Sequence, residues 1–105
     1  MDRVNQYRAI ICQTLESFAE GDPEADLVFD TTRDRYLVLH SAWRGESRIY
    51  GCAMQLDLID GKIWIQHNST EIDLYQLLKQ QGVEAKDIIL GLRSPAVRDR
   101  LAAAT

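Results

Sequence analysis

Cysteine is nearly absent: Cys12 and Cys52 are the only two in 105 residues, and no C-x-x-C pair occurs. That rules out a zinc ribbon or a redox dithiol built from one stretch, and both read as small, reduced core residues. Proline is equally scarce at two and glycine numbers six, so collagen-like and low-complexity chains are excluded. No segment approaches the ~20 apolar residues of a membrane helix. The opening "MDRVNQYR" lacks the apolar run of a signal peptide, which predicts a cytoplasmic location and no membrane partner. Basic charge is also short. Lys and Arg total 12 against 16 Asp and Glu, a net charge of −4 and a pI near 5.0, so the chain as a whole repels nucleic acid. Only "GLRSPAVRDR" offers a local surplus, with Arg93, Arg98 and Arg100 against Asp99, and a solvated helix face explains it as well. No P-loop, dinucleotide fingerprint or nucleophile elbow is present, and no cofactor is predicted.

What remains is an ordinary globular composition, 46% hydrophobic and 27% charged, predicting a single domain over residues 1–105. Val4, Tyr7, Ile11, Leu15 and Phe18 recur at helical spacing and lay one apolar stripe along a helix from about residue 3 to residue 20. Asp2 is placed to cap its start, and Gly21 with Pro23 to end it. "DLVFD" and "RYLVLHSAW" (35–43) then read as strands, "RGES" (44–47) as a loop, and "RIYGCAMQLDLI" (48–59) as a strand. In this last strand Tyr50, Cys52, Met54, Leu56 and Leu58 alternate with Gly51, Ala53, Gln55 and Asp57.

Asp60-Gly61 is a strong two-residue hairpin signal, since both central positions of a type I′ turn need positive φ. It predicts the pairs Ile59–Lys62, Leu58–Ile63, Asp57–Trp64, Leu56–Ile65 and Gln55–Gln66. After the strand 62–67, Asn68 and Glu71 match a capping box, with Thr70 and Asp73 repeating the spacing, so a helix is expected to begin at Asn68. Ile72, Leu74, Tyr75, Leu77 and Leu78 give it a buried side, and Gly82 closes it. "DIILGL" (87–92) is a fifth strand or a packed connector, and Ser94-Pro95 opens a last helix. The fold class is α+β: an N-terminal helix, an antiparallel β-meander of three to four strands, and two C-terminal helices.

Chemistry is weakly encoded. Asn68 and Glu71 are predicted to serve as a structural cap. His67 is expected beside Ile63 and Ile65 with His40 on the opposite face, which disfavours a two-histidine metal site. Asp57, Asp60 and Lys62 loosely spell a metal-dependent nuclease, but Gly61 at the apex of a tight turn prevents the acid and the lysine from sharing one strand face. The more informative feature is the sheet's second face. It is predicted to carry Tyr36, Val38, His40, Ala42, Ile49, Gly51, Ala53, Gln55, Asp57, Trp64 and Gln66, a mixed surface suited to a protein contact. The competing expectation is that the C-terminal helix folds over this face.

The blocks "NQYRAII", "FDTTRDRYLVLHSAW", "RIYGC", "DGKIWIQHNSTEI" and "DIILGLRSP", in that order, resemble the XisI family of cyanobacterial fdxN-element excision controlling factors across about nine tenths of the chain. The resemblance implies a non-enzymatic accessory protein in DNA recombination. It would work beside the recombinase and a XisH-like companion that itself resembles nucleases, binding a protein partner or a second copy and touching nucleic acid only indirectly. Tyr36, His40, Trp64, Gln66, Arg93 and Arg98 are the expected contact residues; direct DNA binding through the C-terminal arginines is the alternative. The tail "AVRDRLAAAT" lacks the aromatics that the family tends to carry after Ser-Pro, and Leu92-Arg93 stands where Phe-His is expected.

Overall fold

The computed structural model describes residues 2–103. Helix α1 (Arg3–Ala19) is followed by β1 (Ala25–Asp30), β2 (Arg35–Arg44), β3 (Ser47–Ile59) and β4 (Lys62–Asn68). Helix α2 (Leu74–Gln80), a single 3-10 turn at Ala85–Asp87, β5 (Ile88–Ile89) and α3 (Pro95–Ala103) complete the chain. The strands form one sheet in chain order. The four-stranded antiparallel meander is as expected, and "DIILGL" adds a short fifth strand that runs parallel to β4.

Local signals account for most element boundaries. Asp2 accepts a hydrogen bond from the Val4 amide, and the chain leaves α1 through Gly21 at φ 76°. Asp60 and Gly61 stand at φ 52° and 75°, the two left-handed positions of a type I′ turn. Ser94 caps α3 through its hydroxyl to the Val97 amide, with Pro95 at the first helical position.

One element starts later than its sequence suggests. Helix α2 is capped by Asp73, whose carboxylate accepts from the Gln76 amide at 3.1 Å. Asn68 instead ends β4, where its side-chain oxygen binds the Thr70 amide and hydroxyl and its amide nitrogen donates to the Ile72 carbonyl. Asn68 therefore organises the loop before the helix, and Glu71 is exposed in that loop, making no cap.

The core lies between the sheet and one helical layer. Tyr7, Ile11 and Leu15 of α1 and Leu74 and Leu78 of α2 pack on Tyr36, Val38, Met54, Leu56, Ile63 and Ile65. Each fully buried aliphatic side chain contributes ~1.5–3 kcal/mol. Polar bonds tie the layers together: the Tyr7 hydroxyl donates to Asp87 at 2.6 Å, and burial pushes its pKa up.

Two bulges set which residues face that core. Val38 pairs with Met54 but Leu39 with Cys52, so Ala53 is an extra residue in β3. Leu56 pairs with Ile65 but Gln55 with His67, so Gln66 is extra in β4. The first four predicted pairs beyond the Asp60-Gly61 turn hold; the fifth is Gln55–His67, not Gln55–Gln66. Gly45 and Glu46 form a two-residue turn, since Arg44 pairs with Ser47.

Candidate functional site

The Ala53 bulge reverses the facing of half a strand. Tyr36 pairs with Leu56 and is fully buried against the helical layer, so it is not on the face of Trp64. Its hydroxyl donates to Asp34 at 2.6 Å, and burial followed by that bond pushes its pKa up to about 12. His40 follows it onto the helix side, half-buried, with Nε2 3.5 Å from Glu24. Val38 and Ala42, also expected on the second face, are buried on the helix side too. Beyond the bulge, Tyr50 and Cys52 turn outward instead of joining Met54 and Leu56.

The outer face that results runs from Trp64 to the β2–β3 turn. Along it lie Leu37, Leu39, Ser41 and Trp43 of β2 and Arg48, Tyr50 and Cys52 of β3. Trp43 is 60% exposed and Tyr50 is 63% exposed. Arg48 holds them together: its guanidinium carbon is 5.2 Å from the Trp43 ring centroid and 5.8 Å from that of Tyr50, and it donates to the Ser41 hydroxyl. Cation–π contacts of this kind contribute ~0.5–1 kcal/mol at exposed sites and fix two aromatic rings in place. Trp43 and Tyr50 were missing from the sequence-derived set because the bulge that turns Tyr50 outward leaves no local signature beyond the small residues Gly51 and Ala53.

At the other end Trp64 is half-buried, and the expectation that the C-terminal helix folds over this face is realised at this residue. The C-terminal segment crosses it: Leu92 donates its amide to the Ile65 carbonyl at 2.9 Å, and Arg98 stands 5.4 Å from the indole centroid. Gly91 passes so close that a Cβ there would collide with the Gln66 side chain and press on Trp64. Arg98 is further fixed by a 2.8 Å bond to the Arg93 carbonyl, while Arg93 itself is exposed. The predicted contact residues thus separate: Arg98 stands over Trp64, Gln66 and Trp64 both flank Gly91, Arg93 lies beside Arg98, and Tyr36 and His40 belong to the opposite side.

The acid-lysine constellation does not assemble. Asp57 is buried and takes hydrogen bonds from Gln55 at 3.0 and 3.3 Å, with Arg35 at 3.5 Å, whereas Asp60 occupies the turn. His67 is exposed and, through the Gln66 bulge, shares the outer face with Gln55 rather than with Ile63 and Ile65. His40 and His67 remain on opposite faces, with the sides exchanged. Among the described residues no group of three or more His, Cys, Asp or Glu side chains is placed to hold a metal ion. No helix among them is long and apolar enough to cross a membrane.

These features define a small α+β meander domain whose exposed aromatic side chains gather on one sheet face. The chain belongs to the XisI family, matching the XisI protein family over residues 1–105. It is similar to a solved XisI-like protein from Anabaena variabilis, at 34% identity over 92% of this chain and 94% of that one, with a TM-score of 0.88. It is also similar to the fdxN element excision controlling factor XisI from the same organism, at 30% identity over 92% of this chain and 99% of that one, with a TM-score of 0.80. No curated protein matches the chain.

Proposed function

We propose that this chain is a non-enzymatic accessory factor for the programmed excision of a DNA element, acting by docking a protein partner on the outer face of its sheet. The excision role follows from its family and from its likeness to an fdxN element excision controlling factor. The observation that carries the docking reading is the Trp43–Arg48–Tyr50 cluster: two large aromatic side chains held in solvent by one arginine. Trp, Tyr and Arg are the residue types that dominate binding energy at protein interfaces, and preordering them lowers the entropy lost on docking. The face continues through Leu37 and Leu39 toward Trp64, where α3 borders it. A XisH-like companion is the partner this reading favours, and the chain's negative charge argues for a protein over DNA.

The test is co-purification of the companion with Trp43→Ala and Tyr50→Ala variants. Removing either ring should weaken capture by at least tenfold, about 1.4 kcal/mol, with the thermal midpoint lowered by no more than about 5 °C through the lost cation–π contact. Capture that survives the double variant intact refutes the docking face. Loss on Trp64→Glu alone would move the contact to the α3 end.

A further inference from the structure

The β2–β3 hairpin projects beyond its neighbours. β1 begins opposite His40 and β4 ends opposite Met54, so the tip of the hairpin has no strand on either side. The radius of gyration is 14.7 Å, against ~13 Å for a compact chain of this length. Because Arg44 and Ser47 close a two-residue turn, Ser47, Ile49 and Gly51 direct their amides and carbonyls to β2, and Arg48, Tyr50 and Cys52 direct theirs away. Ser69 meets this edge at the Ala53 carbonyl, 2.9 Å from its amide, and its hydroxyl reaches the Cys52 carbonyl at 3.4 Å, so the edge is open only up to Cys52. Among the described residues, no backbone hydrogen bond joins the outward groups of Arg48 and Tyr50 to another segment. Such an edge is a template for another strand, and this one carries no proline to block it.

We propose that this free edge of β3 pairs, antiparallel, with the same edge of a second copy, about a two-fold axis at Ile49. The side chains select the occupant and the register. With Ile49 opposite Ile49, Arg48 of each copy lies opposite Tyr50 of the other, and the two exposed isoleucines cover each other on the reverse face. Shifting the axis to Arg48 sets two like charges opposite each other. Placing it at Tyr50 leaves Arg48 opposite Cys52 and forfeits the cation–aromatic pair. In the Ile49 register Glu46 reaches Cys52, so the partner's strand ends where Ser69 begins. The contact uses the edge of the hairpin and leaves its outer face open, so a dimer would present two Trp43–Tyr50 clusters on one continuous sheet.

A strand of this length is at the small end of specific interfaces, so the dimer forms as concentration rises. Light scattering from about 1 to about 100 µM should show the mass climbing from 12.0 kDa toward twice that value. Tyr50→Pro removes an outward amide that β2 does not use, and should remain monomeric with an unchanged far-ultraviolet spectrum. Should proline disturb the hairpin, Arg48→Glu replaces the cation facing Tyr50 and should weaken association by at least tenfold. Independently, Ile49→Cys in a Cys12→Ser, Cys52→Ser background should form a disulfide-linked dimer on mild oxidation much faster than Thr31→Cys, a turn position away from the edge. A monomeric wild type throughout this range, or equal cross-linking at positions 49 and 31, overturns the proposal. Neither experiment involves the companion, so either result leaves the docking-face reading to its own test.

Discussion

Arg8 of α1 grips Asp34 with both sides of its guanidinium, Nε to Oδ1 at 2.8 Å and a terminal nitrogen to Oδ2 at 3.1 Å. Tyr36 donates to the same Oδ1, so one carboxylate in the β1–β2 turn fastens the N-terminal helix to the buried strand β2. Asp34 stands at φ 56°, a conformation that asparagine tolerates equally well, so Asp34→Asn removes the charge with little change in backbone preference.

The Arg8 hydrogen bonds, ahead of the Tyr36 bond, hold the Asp34 carboxyl below its ordinary value of 3.8. Its contribution is therefore complete above that value and is lost as pH falls through the lower folded value. Asp34→Asn should lower the urea midpoint at neutral pH, and the gap from wild type should close as acid protonates the native carboxyl. Urea titrations at about pH 7 and about pH 3 check this. An equal gap at both values would mean that packing, not charge, accounts for the loss.

The extra residue at Ala53 lets both halves of β3 keep their facing toward the core, and its deletion tests whether the bulge itself is needed. Without Ala53 the ladder from the Gly45-Glu46 turn runs on uninterrupted, with Leu39 opposite Cys52, Val38 opposite Met54 and Tyr36 opposite Leu56, so the core residues keep their partners and their facing. What goes is the Ala53 carbonyl that accepts from the Ser69 amide. We expect a loss of ~0.5–1.5 kcal/mol, measured by chemical denaturation; a loss several times larger would mean that the bulge, and not the pairing on either side of it, holds the sheet.

This bulge also marks the limit of what the chain reveals by inspection. Helix α1 and the Asp60-Gly61 hairpin were legible because their signals are local: a 3.6-residue stripe with its cap, and two residues that tolerate positive φ. The faces of β2 were not, because Leu37 and Leu39 are as apolar as Tyr36 and Val38, and only pairing with a distant strand separates them. The start of α2 was misplaced for a related reason. Asn68 and Asp73 are both competent caps, and the choice depends on Asn68 being engaged by Thr70 and Ile72 in its own loop. At the candidate site the hairpin register placed Trp64 on the outer face, Arg98 was expected only through the family resemblance, and Tyr50 was hidden by the bulge.

Gly61 tests the hairpin by itself. At φ 75° a Cβ meets no atom within 4 Å, so Gly61→Ala costs backbone strain without a clash. We expect a loss of ~1–2 kcal/mol in thermal or chemical unfolding, with the sheet unchanged. A neutral effect would show that the turn relaxes to another type at no cost.

Arg98 stacks α3 against Trp64, and the nine residues of that helix are too few to hold it unaided. Truncating it in Arg98→Ala removes the stacking on Trp64 and the bond to the Arg93 carbonyl together. Global stability should fall by no more than ~0.5–1 kcal/mol, since the helical layer and its core lie on the other side of the sheet. The local consequence should be larger: the amides from Val97 to Ala103 should lose hydrogen-exchange protection while those of β3 and β4 keep theirs. In a Trp43→Phe background, where Trp64 is the only indole, its emission should shift to the red as water reaches the ring. Arg98→Lys, which keeps a cation but not the planar stack, should give an intermediate shift. Unchanged protection across α3 in Arg98→Ala would mean that Val97 and the Leu92–Ile65 backbone bond hold the helix, and that Arg98 only decorates it.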